Sequence, residues 1–225
     1  MLKAVIFDFD GTLADTEPLH FKAWSRAMSA YGLIITRRFY MQKYVGIPDE
    51  EIADQLIRNN SLPIKIHKAL QNKKKQYDLL LKSRPAVFFS YAEQTIENLF
   101  SRGIRLAIAT AGMSQEVTIL LRQNRLYKYF ISIVGRDQVT KNKPHPECYR
   151  KAISALGFKP GECMAVEDSF NGIQAAKAAG LFCIAVKKRI CISDTLQAAD
   201  KIVFSLQSVD RYFKKIITGN NSAGC

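Results

Sequence analysis

The stretch VIFDFDGTLADTE, residues 5–17, decides how the chain is read. An apolar run as long as a buried strand ends in two aspartates, Asp8 and Asp10, one residue apart, with Gly11 directly after them. Its apolarity is continuous rather than alternating, which predicts a strand covered on both faces, as in a parallel sheet. The same kind of run recurs: LKAVIFDF (2–9), IRLAIAT (104–110), FISIV (130–134), CMAVED (163–168), FCIAV (182–186) and KIVF (201–204). Helical stretches separate them, such as PECYRKAISALG, with Pro146 near its start and Gly157 at its end, and NGIQAAKAAG, closed by Gly180. The expected fold class is α/β, a doubly wound parallel sheet with a Rossmann-like core.

One interval breaks the alternation. Residues 16–85 contain no strand-like run, and LHFKAWSRAMSAYG shows apolar residues at helical spacing, with further helical stretches up to KKKQYDLLLKS. The chain is therefore divided into a catalytic core, 1–15 plus 86–225, and an inserted all-helical cap domain, 16–85. The polar tail GNNSAGC (219–225) is expected to fray.

Composition bounds the alternatives. With 225 residues, 48% hydrophobic and 24% charged, the chain can bury a core, which excludes a disordered protein. No run approaches the ~18 apolar residues a membrane helix needs, and the N-terminus lacks the pattern of a signal peptide, so a cytoplasmic protein without a membrane partner is expected. Five cysteines, Cys148, Cys163, Cys183, Cys191 and Cys225, lack CxxC spacing and read as reduced packing residues. The net charge of +13 is concentrated in the insert, where 13 Lys/Arg face 6 Asp/Glu, a surplus of +7. No nucleic-acid-binding motif accompanies this charge, so no nucleic-acid partner is expected; a solvated basic surface or attraction of anionic substrates accounts for it.

Ligands of open parallel sheets bind at the carboxyl ends of the strands. Asp8 and Asp10 close the first strand, Thr110 the second, and Glu167 and Asp168 follow CMAV, while Lys143 lies in the loop TKNKPHPE ahead of a helix. A cluster of carboxylates without His or Cys ligands suits a hard cation, and Mg2+ above zinc.

The four stretches DFDGT, IAT, NKPHPE and VEDSFNGIQAA, in this order, resemble the four motifs of the haloacid dehalogenase-like superfamily of phosphotransferases, and the helical insert resembles that superfamily's small cap. The resemblance implies that Asp8 is the nucleophile, forming an aspartyl phosphate, and that Asp10 is the general acid and base. It implies that Thr110 and the Ala111 amide bind the transferring phosphoryl group and that Lys143 supplies fixed positive charge. It also implies that Asp8, Asp168 and the Asp10 main-chain carbonyl hold Mg2+, with Glu167 ligating directly or through water. Gly11 lets the chain turn sharply there. Ser169 and Asn171 read as caps of the following helix.

Within the insert the resemblance is to the β-phosphoglucomutase group and the sugar-phosphate phosphatases related to it, through His20 and Trp24 in LHFKAW, Gly46 in VGIP, and Lys73 and Tyr77 in KKKQY. His20, Lys73 and Gly46, with Ala111, are the implied substrate-binding residues; His20 reads equally as a polar residue of an amphipathic helix, and Lys73, in a lysine run, as part of a solvated face. Where the mutases have an arginine for a second phosphate this chain has Asp49, and after the second motif AGMSQ carries no positive charge. The expectation is a Mg2+-dependent phosphatase of small phosphate esters, sugar phosphates foremost, with a phosphosugar mutase of the β-phosphoglucomutase type as the alternative. Oligomeric state stays open, a monomer being compatible with the sequence.

Overall fold

The computed structural model describes residues 2–83, 87–187 and 196–217. Cys191, Cys225, the expected fraying of 219–225 and the boundary expected at 85/86 lie outside the described residues. The chain divides into two compact units, Thr16–Ala86 and the remainder.

The remainder begins with β1 (Ala4–Phe7), followed by the short β2 (Ala14–Asp15). After the insert come β3 (Val87–Phe88), β4 (Arg105–Ala109), β5 (Phe130–Val134), β6 (Cys163–Glu167), β7 (Phe182–Val186) and β8 (Lys201–Val203). Six of these strands form one sheet in the order β5-β4-β1-β6-β7-β8, with every pairing parallel. All six apolar runs are strands of this sheet. The two-residue β2 and β3 form a separate antiparallel ribbon that the sequence pattern did not suggest, because two residues are too few to display a period.

Side chains alternate along a strand, so each face of the sheet has its own composition. Ala4, Ile6, Ala107, Ala109, Cys163, Ala165, Cys183 and Ala185 fall in one buried cluster with residues of two helices that follow in sequence, Glu147–Leu156 and Phe170–Ala178. The intervening Val5, Phe7, Leu106, Ile108, Met164, Val166, Ile184 and Val186 are buried as well. Both faces are thus covered, which explains the unbroken apolar runs. Cys148, Cys163 and Cys183 are free and buried, and their surroundings are those of small packing residues.

The inserted unit contains α1 (Glu17–Ser29), α2 (Arg37–Lys43), α3 (Asp49–Asn59) and α4 (Ile66–Ser83). Thr36 caps α2 by accepting the Phe39 N–H, and Asp49, Glu50 and Glu51 in the first turn of α3 complement its dipole. Trp24, Met28, Tyr40, Tyr44, Ile52 and Leu56 form its core; burying each such side chain contributes roughly 1.5–3 kcal/mol before entropy is counted. Later in the chain follow α5 (Ala92–Ser101), α6 (Ser114–Gln123), α7 (Glu147–Leu156), α8 (Phe170–Ala178) and α9 (Leu206–Ile217). Among the described residues no helix is long and apolar enough to cross a membrane.

Lys73 departs from the sequence expectation. It is 5% exposed rather than part of a solvated face, and its ammonium donates to Asp49 Oδ2 at 2.6 Å and lies 2.9 Å from His20 Nδ1. An ammonium has no lone pair, so His20 accepts at Nδ1. The Trp24 indole N–H donates to the other Asp49 oxygen at 3.1 Å, and the His20 and Tyr77 rings lie 4.5 Å apart between centroids. Burial disfavours the Asp49 carboxylate, but Lys73, by charge and hydrogen bond, outweighs it and holds the carboxyl below its usual range. A carboxyl lowered in this way stabilises the fold above about pH 4 and ceases to do so as pH falls through its folded value. Asp49→Ala leaves the Lys73 ammonium buried without its carboxylate partner and is expected to destabilise the inserted unit by about 3 kcal/mol, read as a lower thermal midpoint at neutral pH. Melting at the wild-type temperature would mean the pair contributes nothing.

Candidate active site

Sheet order assembles the site. β1 lies between β4 and β6, with Phe7 paired to Ile108 on one side and Val166 on the other. The residues just beyond these pairs are Asp8, Thr110, Glu167 and Asp168, and the Asp8 N–H donates to the Val166 carbonyl at 2.9 Å.

Lys143 enters from the loop before α7. Its Nζ donates to Asp8 Oδ1 at 2.8 Å, to the Ala109 carbonyl at 2.9 Å and to Glu167 Oε1 at 2.5 Å, which uses all three of its protons. Asp8 is 5% exposed and Glu167 0%. Burial opposes the charge on Lys143, yet the Asp8 and Glu167 carboxylates raise its pKa above the ordinary lysine value. For Asp8 the balance goes the other way: burial pushes its carboxyl well up, Lys143 pulls it down, and Glu167, Asp168 and Asp10 push it further up.

Asp8, Glu167 and Asp168 each offer an oxygen, and these oxygens lie within 4.8 Å of one another. With Asp10, which like Asp168 is part-buried and close enough to act on the Asp8 carboxyl, they form a concentration of carboxylates that favours a divalent cation. The donor set is oxygen only, as a hard cation requires. Glu167 differs from its companions. Its Oε1 accepts from Lys143 and from the Tyr149 hydroxyl at 2.8 Å, while Oε2 faces the Ser169 hydroxyl at 3.1 Å and the amides of Asp168 and Ser169 at 3.1 and 3.3 Å.

Asp10 meets the second motif. The Thr110 hydroxyl donates to Asp10 Oδ2 at 3.2 Å and accepts the Gly112 N–H at 2.9 Å. Ala111 follows in an exposed turn. Gly11 turns the chain at φ +82°, and its own N–H is taken by the Ala14 carbonyl at 2.9 Å. A Cβ at this position would stand 2.1 Å from Asp168 Oδ2, so the glycine also makes room for that carboxylate.

Ser169 caps α8 by accepting the Gly172 N–H, as its position suggested. His20 and Lys73 are brought together in the inserted unit, and Gly46 lies in that unit's α2–α3 connection at φ +79°. The sequence reading did not single out Thr12, whose hydroxyl donates to Asp168 Oδ1 at 3.3 Å, Tyr149, or Gly172. A Cβ on Gly172 would fall 1.9 Å from Glu167 Oε1. The only signal for these three was their place inside motif stretches or one turn into the following helix.

A parallel α/β sheet with a buried aspartate held by a buried lysine, a second acid two residues on and an acidic group at the neighbouring strand end defines the haloacid dehalogenase-like class of hydrolases. Residues 5–186 match the family described as haloacid dehalogenase-like hydrolase, and the chain belongs to that family. It is an enzyme of that superfamily. It is 36% identical over 184 residues to the phosphorylated carbohydrates phosphatase of Thermotoga maritima, covering 80% of this chain and 82% of that protein. To the fructose-1-phosphate phosphatase YqaB of Escherichia coli it is 32% identical over 189 residues, 81% of this chain and 95% of that one. Among solved structures, CbbY from Rhodobacter sphaeroides in complex with phosphate superposes with a TM-score of 0.78 at 29% identity, covering 93% of this chain and 96% of the other.

Proposed function

We propose that the chain is a Mg2+-dependent phosphatase that hydrolyses small phosphate monoesters, sugar phosphates foremost, through a phosphorylated Asp8, with residues 16–85 as its cap. The observation that carries this reading is the Asp8–Lys143 pair at the end of β1, with Asp10 and Asp168 beside it. Asp8 attacks phosphorus, the ester P–O bond breaks, and Asp10 protonates the departing alkoxide. Asp10 then takes a proton from the water that attacks phosphorus of the aspartyl phosphate, releasing inorganic phosphate and restoring Asp8. Lys143 faces charge carried by the phosphoryl oxygens, and Thr110 and the Ala111 amide are assigned to the same group. Asp8, Asp168 and the Asp10 main-chain carbonyl would hold Mg2+, which when bound cancels part of the repulsion between carboxylate and phosphate. Glu167, its oxygens already engaged by donors, is assigned to orienting Lys143.

The relatives that act on phosphorylated carbohydrates and fructose 1-phosphate support a sugar phosphate as substrate. His20, Lys73 and Gly46 are assigned to its non-phosphate part. Pairing with Asp49 leaves Lys73 without surplus charge for a second phosphate, which favours hydrolysis over the mutase alternative.

The purified protein is expected to release phosphate from at least one member of a panel of sugar and nucleoside phosphates, in a reaction abolished by EDTA and restored by Mg2+. Interconversion of glucose phosphates primed by a bisphosphate, with no net phosphate release, would establish the mutase instead.

A further inference from the structure

Tyr149 is 0% exposed and lies one turn into the helix that follows the Lys143 loop. A residue that only filled this space could be phenylalanine; a buried tyrosine hydroxyl carries a cost unless something accepts its hydrogen bond. Here the acceptor is Glu167 Oε1, at 2.8 Å, the same oxygen that receives Lys143 Nζ at 2.5 Å. The ring of the same tyrosine lies beneath the ammonium, with Nζ 5.0 Å from its centroid. One side chain therefore holds both members of the Lys143–Glu167 pair, the ring by its face and the carboxylate by its hydroxyl.

We propose that Tyr149 is a positioning residue for the reaction: by fixing Glu167 and supporting Lys143 it sets where the ammonium stands relative to Asp8. Lys143 shares its protons among Asp8, Ala109 and Glu167, so its position depends on how firmly each acceptor is held. Asp8 and Ala109 are tied to the sheet. Glu167 also belongs to a strand, but its carboxylate lies at the end of a longer side chain and is held by other contacts. Ser169 and two amides hold one oxygen, Tyr149 shares the other with Lys143, and Gly172 supplies the space in which the group lies. Without the tyrosine hydroxyl, Oε1 keeps the Lys143 ammonium as its partner, and the charged pair can relax toward itself and away from Asp8. Tyr149 acts at one remove and does not touch phosphorus.

The inference rests on the phosphatase reading, so its test includes a measurement that needs no substrate. With 4-nitrophenyl phosphate as a generic ester, Tyr149→Phe is expected to lower kcat by about 10- to 100-fold, with KM shifted far less, the size of loss that a small misplacement of an active-site group produces. In a Glu167→Gln background the same substitution is expected to cost no more than about twofold, because residues acting through one another are not additive. Trifluoroberyllate with Mg2+, a mimic of the phosphoryl group on an aspartate, is expected to bind Tyr149→Phe about tenfold more weakly by calorimetry, in step with the loss in kcat, while Mg2+ alone binds equally.

A wild-type kcat in Tyr149→Phe, or an undiminished loss in the Glu167→Gln background, overturns the proposal. If Tyr149→Phe does not fold, Glu167→Gln alone decides: a lower kcat at unchanged Mg2+ affinity supports the positioning chain, whereas weaker Mg2+ binding with full kcat at saturating Mg2+ makes Glu167 a ligand and overturns it. Wild-type protein that neither turns over any ester nor binds trifluoroberyllate removes the phosphatase reading itself. Equal behaviour of wild type and variant in both assays removes only the role of Tyr149.

Discussion

Asp8→Asn is expected to abolish phosphate release, with kcat falling by at least about 10,000-fold, as loss of a nucleophile does when the rest of the site remains. The amide is close in shape to the carboxylate but too weak a nucleophile to attack phosphorus. Fold stability is expected to move the other way. Burial, together with Glu167, Asp168 and Asp10, raises the Asp8 carboxyl above its ordinary range, so ionising it costs the folded state. That cost grows as pH rises from the ordinary carboxylate value, about 3.9, toward the raised one. In metal-free protein at neutral pH, Asp8→Asn is therefore expected to melt at or above the wild-type temperature. A variant that loses activity because it has unfolded would melt below it, and calorimetry separates the two cases.

Asp10→Asn is the second large effect, a drop in kcat of about 100- to 10,000-fold. Its signature is dependence on the leaving group. A sugar alkoxide leaves poorly without a proton, whereas 4-nitrophenolate is a stable anion, so phosphorylation of Asp8 should be impaired much more with the sugar ester than with the aryl ester. Pre-steady-state release of 4-nitrophenol from the variant should thus stay close to wild type while its steady-state turnover falls, since the second step still lacks a base. Equal losses in both phases and for both esters would argue that Asp10 acts only by holding the loop. Thr110 bears on the same group: its hydroxyl donates to Asp10 Oδ2 at 3.2 Å, so this threonine touches the acid as well as lying beside the Ala111 turn.

The central strands β4, β1, β6 and β7 were legible because they are buried on both faces and so appear as continuous apolar runs; the edge strands β5 and β8 kept apolar runs although Ile131 and Ile202 are exposed. Sheet order was not written there: that β1 lies between β4 and β6, bringing Asp8, Thr110 and Asp168 together, depends on pairing between distant segments. The β2–β3 ribbon escaped because its strands have two residues each. Asp8, Asp10, Lys143 and Asp168 could be read as candidates because acids and a lysine at strand ends and in loops stand out against apolar neighbours, and the structure brings them near one another. Tyr149 and Gly172 could not, since a tyrosine in an amphipathic helix looks like packing and a glycine near a helix start looks like a turn. Lys73 misled for a related reason. Its lysine neighbours suggested solvent, and nothing local shows that Asp49, from another helix, meets it at 2.6 Å.

The most direct test of the central claim is to quench wild-type protein with acid during turnover of an ester with Mg2+ and to map the peptides by mass spectrometry. A peptide carrying the mass of one added phosphoryl group, placed on Asp8 and absent from Asp8→Asn, is the predicted result. Phosphate release at the full wild-type rate from Asp8→Asn, or a phosphoryl group found on another residue, would contradict the account.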